Sequence, residues 1–245
     1  MTNEEVPKLG SMPADHITIL IKGGLGAIPL VGPLMAEIVG NVIPNQRVDR
    51  LVQFVQLLQQ RLSRLEEDVL RQKLASPGSI DLLEDAFLQA SRATSAERLQ
   101  YISCVAANGL TPEEINHAES KRMLWLLGQL DDAEIVILRG SLASTSDEFQ
   151  ADKEFQHRHK DVMSLTPIHL GSSDKEMEVA AVTKSFRQHL HDLGLLSHSF
   201  TMPKKGELPE FDRETGALKA SHSQTTLLGR MLLRYLDLIP DWYKR

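Results

Sequence analysis

Seven aliphatic residues, Val48, Leu51, Val55, Leu58, Leu62, Leu65 and Val69, follow one another in strictly alternating steps of three and four. On a helix that spacing lines them along one edge, the a/d pattern of a packed seam. Gln53, Gln56, Gln59, Gln60, Arg61 and Arg64 take the other faces, so the expected helix, from about Gln46 to Leu74, is amphipathic. Val52, Phe54 and Leu57 widen its apolar side beyond what a two-stranded coil requires. Two uses of the seam stay open. The helix lies across the core of its own domain, or the seven residues are a self-association seam between copies.

Ahead of the seam, Ile17 to Ile43 carries only two charges, Lys22 and Glu37. Its uncharged centre, Gly23 to Ala36, holds fourteen residues. At a rise of about 1.5 Å per residue it cannot cross roughly 30 Å of hydrocarbon as a helix. Gly23, Gly24, Gly26, Gly32, Pro29 and Pro33 break it into two short apolar segments joined by a tight bend. The side chains of this hairpin are Ile28, Leu30, Val31, Leu34, Ile38 and Val39. They suit a buried core, a bilayer entered on activation, or a protein partner. Residues 1–14, with Glu4, Glu5, Pro7 and Pro13, read as a flexible leader lacking the basic start and cleavage site of a secretory signal. The expected location is cytoplasmic, with peripheral membrane association if the hairpin is released.

Helix signals dominate the rest. After Pro77 and Gly78 a short helix is expected over Ile80 to Ser91, then a capping box at Thr94 and Glu97 ahead of Leu99, Ile102 and Val105. Thr111-Pro112-Glu113-Glu114 opens a helix through Met123, Leu124 and Leu127, and Asp131-Asp132 opens another. Ser144 to Asp174 is polar and reads as one weak helix with an extended stretch. Ser173 and Glu176 form a further capping box, and Gly194 suits the position after that helix. A strand over Leu195 to Thr201, a polar excursion over Pro203 to Gly216, a return strand over Ala217 to Thr225 and a last helix complete the chain. The expected fold is mainly α: a helical lobe with a long amphipathic helix, followed by a small winged-helix-like α+β lobe. Its divisions are a leader at 1–14, a helical domain at 15–145, a polar connector at 146–173 and the winged-helix-like lobe at 174–245.

Familiar chemistry is missing from the pattern. His157 with His159, and His189 with His191, are spaced by two, so neither pair can chelate from one helix face. The single Cys104 lies in an apolar run that suits burial better than reactivity. Gly23, Gly24 and Gly26 match neither a phosphate-binding loop nor a dinucleotide fingerprint, and no Gly-x-Ser-x-Gly elbow occurs. No catalytic residue, metal ligand, cofactor or small-molecule substrate is therefore expected. The chain carries −6 overall, yet residues 184–245 hold ten basic and seven acidic side chains. Lys184, Arg187, Lys204, Lys205, Arg213 and Lys219 could there touch phosphates, although no cluster for reading bases stands out.

Several short motifs occur together in order. After the Gly/Pro-broken start over Ala27 to Pro44 and the long helix come Arg98-Leu99-Gln100-Tyr101-Ile102 and Ala106-Ala107-Asn108. Leu130-Asp131-Asp132-Ala133-Glu134-Ile135, His191-Asp192-Leu193-Gly194-Leu195-Leu196 and Thr225-Thr226-Leu227-Leu228-Gly229-Arg230-Met231-Leu232 follow. This layout resembles the bacterial abortive-infection alpha proteins, a group linked to phage resistance, or a sister group of them, over about residues 25–237. The resemblance implies a bacterial cytoplasmic protein of antiviral defence and supplies no catalytic residues. The expected function is a non-enzymatic defence protein acting through a protein partner or self-association, with a membrane-active hairpin as an added device. The alternative is a winged-helix regulator that binds nucleic acid.

Overall fold

Helix α1, Val48–Leu62, carries the first five seam positions and buries four of them at home. Leu51 is 0% exposed, Val55 7%, Leu58 2% and Leu62 3%. They pack with α2, Pro77–Arg92, and α3, Ala96–Gly109. Phe54 meets Phe87 of α2 edge to face, with ring centroids 5.2 Å apart. These four seam residues are thus covered within the chain, leaving none of them for a copy to grip. The helix closes at Leu62, earlier than the expected Leu74; Ser63 Oγ donates to the Gln60 carbonyl at 2.8 Å, a local bond that competes with helical continuation.

The computed structural model describes residues 48–63, 69, 72–73, 76–111, 117–143, 145–164, 169, 171–200, 203, 208–211, 216 and 218–244. The leader, the apolar hairpin with Ile28, Leu30, Val31, Leu34, Ile38 and Val39, seam residue Leu65 and the Pro112 start signal lie outside them. Among the described residues, no helix is long and apolar enough to cross a membrane.

Local start signals shift slightly from their expected places. Helix α2 begins at Pro77, because Ser76 caps it and proline fits a first turn that needs no N–H. In α3 the cap is Ser95, not Thr94: its backbone is extended and its Oγ accepts from Arg98 N at 3.0 Å. Helix α4, His117–Gln129, buries Met123, Leu124, Leu126 and Leu127. Arg98 of α3 donates to the Leu127 carbonyl, one of the open carbonyls at the helix end, and Gln89 of α2 donates to that of Leu124 a turn earlier.

The chain forms two compact units that divide at Gly128 and Gln129. Residues 129–145 therefore group with the C-terminal unit, which also contains the expected polar connector. That stretch is helical: α5, Asp132–Gly140, is followed by α6, Ser146–Ala151, α7, Lys153–Arg158, and α8, Lys160–Met163. Then come α9, Asp174–Asp192, the antiparallel strands β1, Leu196–Ser199, and β2, His222–Thr225, and α10, Leu227–Tyr235. A short 3-10 turn, Asp241–Lys244, follows. The strands pair Leu196 with Thr225 and Ser199 with His222, shorter than their expected spans. Among the described residues the protein is thus mainly helical with a small two-stranded antiparallel sheet.

Helix α9 opens on the expected box: Glu176 N is 3.4 Å from Ser173 Oγ, and Ser173 N donates to Glu176 Oε2 at 2.8 Å. It closes at Gly194, whose φ of +71° is left-handed. Thr226 then caps α10 and donates to the Gly194 carbonyl, tying the two helices across the hairpin. Gly229 sits so close that a Cβ there would lie 2.5 Å from the Leu195 carbonyl oxygen. Leu190, Leu195, Leu196, Leu232, Leu233 and Leu236 form the core beneath.

Candidate functional site

Within the C-terminal unit, α9 is only half engaged. Its last turns meet α5 and β1, and Leu190 is fully buried. Its first turns stand in solvent, where Met177, Val179 and Val182 are exposed, Val182 to 54%. Val179, Val182 and the half-buried Phe186 fall at helical spacing and form one apolar stripe. Phe200, Phe211, Leu218 and Leu227 are also exposed, the middle two joined by an isolated antiparallel bridge.

A buried polar assembly holds the other side of this unit. Arg139 and Asp152 form a two-pronged ion pair, Nη1 to Oδ2 at 2.5 Å and Nη2 to Oδ1 at 2.8 Å. Phe155 lies beneath the guanidinium, 4.3 Å from its ring centroid, and Trp242 Nε1 donates to Asp152 at 3.4 Å. Burial lowers the pKa of nearby His159, and Arg158 and Arg139 push it the same way. Glu134 is a second buried junction: one oxygen accepts from Asp131 N at 2.8 Å, and the other is 2.7 Å from His189 Nδ1. His191 reaches Ser223 of β2 at 2.9 Å and stacks on His198, ring centroids 3.8 Å apart. Two of the resembled motifs, around Glu134 and around His191, thus serve to fasten α9 to its neighbours.

The candidate phosphate contacts do not act alike. Lys184 is exposed on α9. Arg187 is half-buried and donates to the Met163 carbonyl at 2.9 Å. Lys219 pairs with Glu210 at 2.8 Å, which holds the Glu210 carboxyl below its usual pKa. Lys204, Lys205 and Arg213 lie outside the described residues. Of these three, only Lys184 is an exposed cation without a partner among the described residues. Cys104 is buried, and no group of three His, Cys, Asp or Glu that could hold a metal occurs among the described residues.

Sequence reasoning missed Arg139, Asp152, Gln156 and Lys160. Arg139 and Asp152 stand thirteen positions apart on different helices, a separation no local periodicity encodes. No family model, curated protein or solved structure matches the chain.

Proposed function

We propose that the chain is a non-enzymatic interaction protein of bacterial antiviral defence, and that its winged-helix-like C-terminal unit docks a protein partner through the free half of α9. The observation that supports this is the exposed Val179–Val182 stripe on an otherwise well-capped helix. Exposed apolar side chains that line up on one helix face are the kind of surface that a partner covers. The defence role rests on the resembled motifs, and the cytoplasm is the location that goes with it. The apolar hairpin ahead of α1 remains a device for membrane contact on activation.

The placement of Arg187 and Lys219 weighs against a nucleic-acid regulator, since Lys219 is paired with Glu210 and Arg187 is half-buried, turned inward onto the Met163 carbonyl and away from a duplex backbone. A mobility-shift titration with nonspecific duplex DNA tests this. The proposed reading predicts no shift at low or moderate salt, whereas binding that falls steeply with salt would establish the regulator instead.

A further inference from the structure

A half-open cavity of about 370 Å³ lies in the C-terminal unit, lined by Ile137, Gln156, Lys160, Met163, Ser164 and Arg187 among others. That volume falls within the range of small-molecule sites. Its lining includes two cations and no carboxylate. Arg187 uses Nη2 on the Met163 carbonyl, while Nε is buried with no hydrogen-bond partner. Gln156 Nε2 is buried and unpaired in the same way. Buried donors are satisfied in nearly all native structures, and both of these belong to residues that line the cavity, although the atoms themselves are closed off from it. Burial also pulls the Arg187 pKa below its ordinary value. Among the described residues no carboxylate pairs with this partly desolvated cation, a cost that a bound anion would offset.

We propose that this cavity binds a small organic oxyanion, a phosphate or carboxylate seated on Arg187 and Lys160, with its uncharged body against Ile137 and Met163. Lys160 is exposed at the rim, where it meets an incoming anion without a carboxylate partner among the described residues. Gln156 and Arg187 reach the ligand by small side-chain shifts that bring their unpaired N–H groups to its oxygens. Gly140 sets the depth of the pocket, because a Cβ there would collide with the Met163 methyl. That methyl ends a flexible side chain, so Gly140→Ala moves it without breaking the backbone. The site is independent of the α9 stripe, and neither reading requires the other.

The test uses the full chain with four probes: phenyl phosphate, benzoate, inorganic phosphate and benzyl alcohol. Thermal unfolding and titration calorimetry read binding. Phenyl phosphate, benzoate or both should bind and raise Tm by several degrees at roughly 100-fold excess over Kd. Whichever of the two binds more tightly identifies the head group as phosphate or carboxylate. Benzyl alcohol should not bind, and inorganic phosphate should bind more weakly for want of a body. Lys160→Met, at an exposed position, should weaken binding at least tenfold with unchanged circular dichroism, and Gly140→Ala should weaken it for lack of room. Failure of both organic anions to bind at millimolar concentration would overturn the proposal. So would undiminished binding in Lys160→Met, or equal binding of benzyl alcohol. Inorganic phosphate binding as tightly as phenyl phosphate would overturn the part assigned to Ile137 and Met163.

Discussion

Asp152 shows how much one side chain can organise. It ends α6, precedes α7 and holds both prongs of Arg139, while Trp242 reaches it from the C-terminal turn. Asp152→Ala leaves a guanidinium buried without its anion. The expected cost is about 3–5 kcal/mol of stability in urea unfolding. Replacing the pair together, as Arg139→Met with Asp152→Leu, should recover most of that loss, because two apolar side chains need no compensation. A double variant as unstable as the single one would show that the pair contributes something packing cannot supply. His191 makes a different statement. Burial first, then the stacked His198 and more distant Arg187, lower its pKa, with Asp192 and the Leu196 backbone opposing them. The unfolded chain therefore binds this proton more readily than the folded one. Stability is full above about pH 6.5 and declines as the pH falls through the window beneath it. His191→Gln should shrink the loss in urea midpoint between pH 7.5 and pH 5.5, and His159, lowered in the same direction, should leave a remainder. An unchanged loss in the variant would remove His191 from the account.

At the scale of elements, what was legible in the sequence is what depends on near neighbours. The α1 stripe, the Ser173–Glu176 box, Gly194 and the helix–strand–strand–helix order all follow from spacing within a few residues. The α2 and α3 starts slipped by one to three residues, since serine, threonine and proline compete for neighbouring cap positions. Residues 146–163 escaped because what anchors them is distant in sequence: Arg139 and Trp242 reach Asp152, and Arg187 donates to the Met163 carbonyl. Arg187 escaped for a related reason: sequence marks a cation but not which way the helix turns it. The use of the α1 seam was left open by periodicity; burial places Leu51, Val55, Leu58 and Leu62 in the core of their own chain. Leu58→Asp should therefore unfold the N-terminal unit, at a cost of at least about 3 kcal/mol, because the carboxylate enters a core. Sedimentation with circular dichroism checks this. A variant that stays fully helical and merely dissociates from a larger form would contradict the packing of α1.

For the whole molecule, the division at Gly128 and Gln129 separates two kinds of surface. Among the described residues, the N-terminal unit buries most of its large apolar side chains where α1 meets α2 and α3, with Leu88 and Trp125 left exposed. The C-terminal unit keeps its core under the hairpin yet leaves Val179 and Val182 in water. The charge contrast along the sequence runs the same way, with the mildly basic part falling in the unit that also exposes the stripe. An interaction protein needs such a unit, stable in itself and unfinished on one side. The most direct measurement is phage plating on a bacterial host expressing the full chain or its Val179→Asp, Val182→Asp variant. Both positions are about half exposed, so each change should alter stability by no more than about 0.5 kcal/mol, verified by thermal melting. The account predicts that the wild-type chain lowers plating and that the folded variant restores it to the level of an empty host. A folded variant that protects as well as the wild type would contradict docking through α9, and a wild-type chain that never lowers plating would contradict the defence role itself.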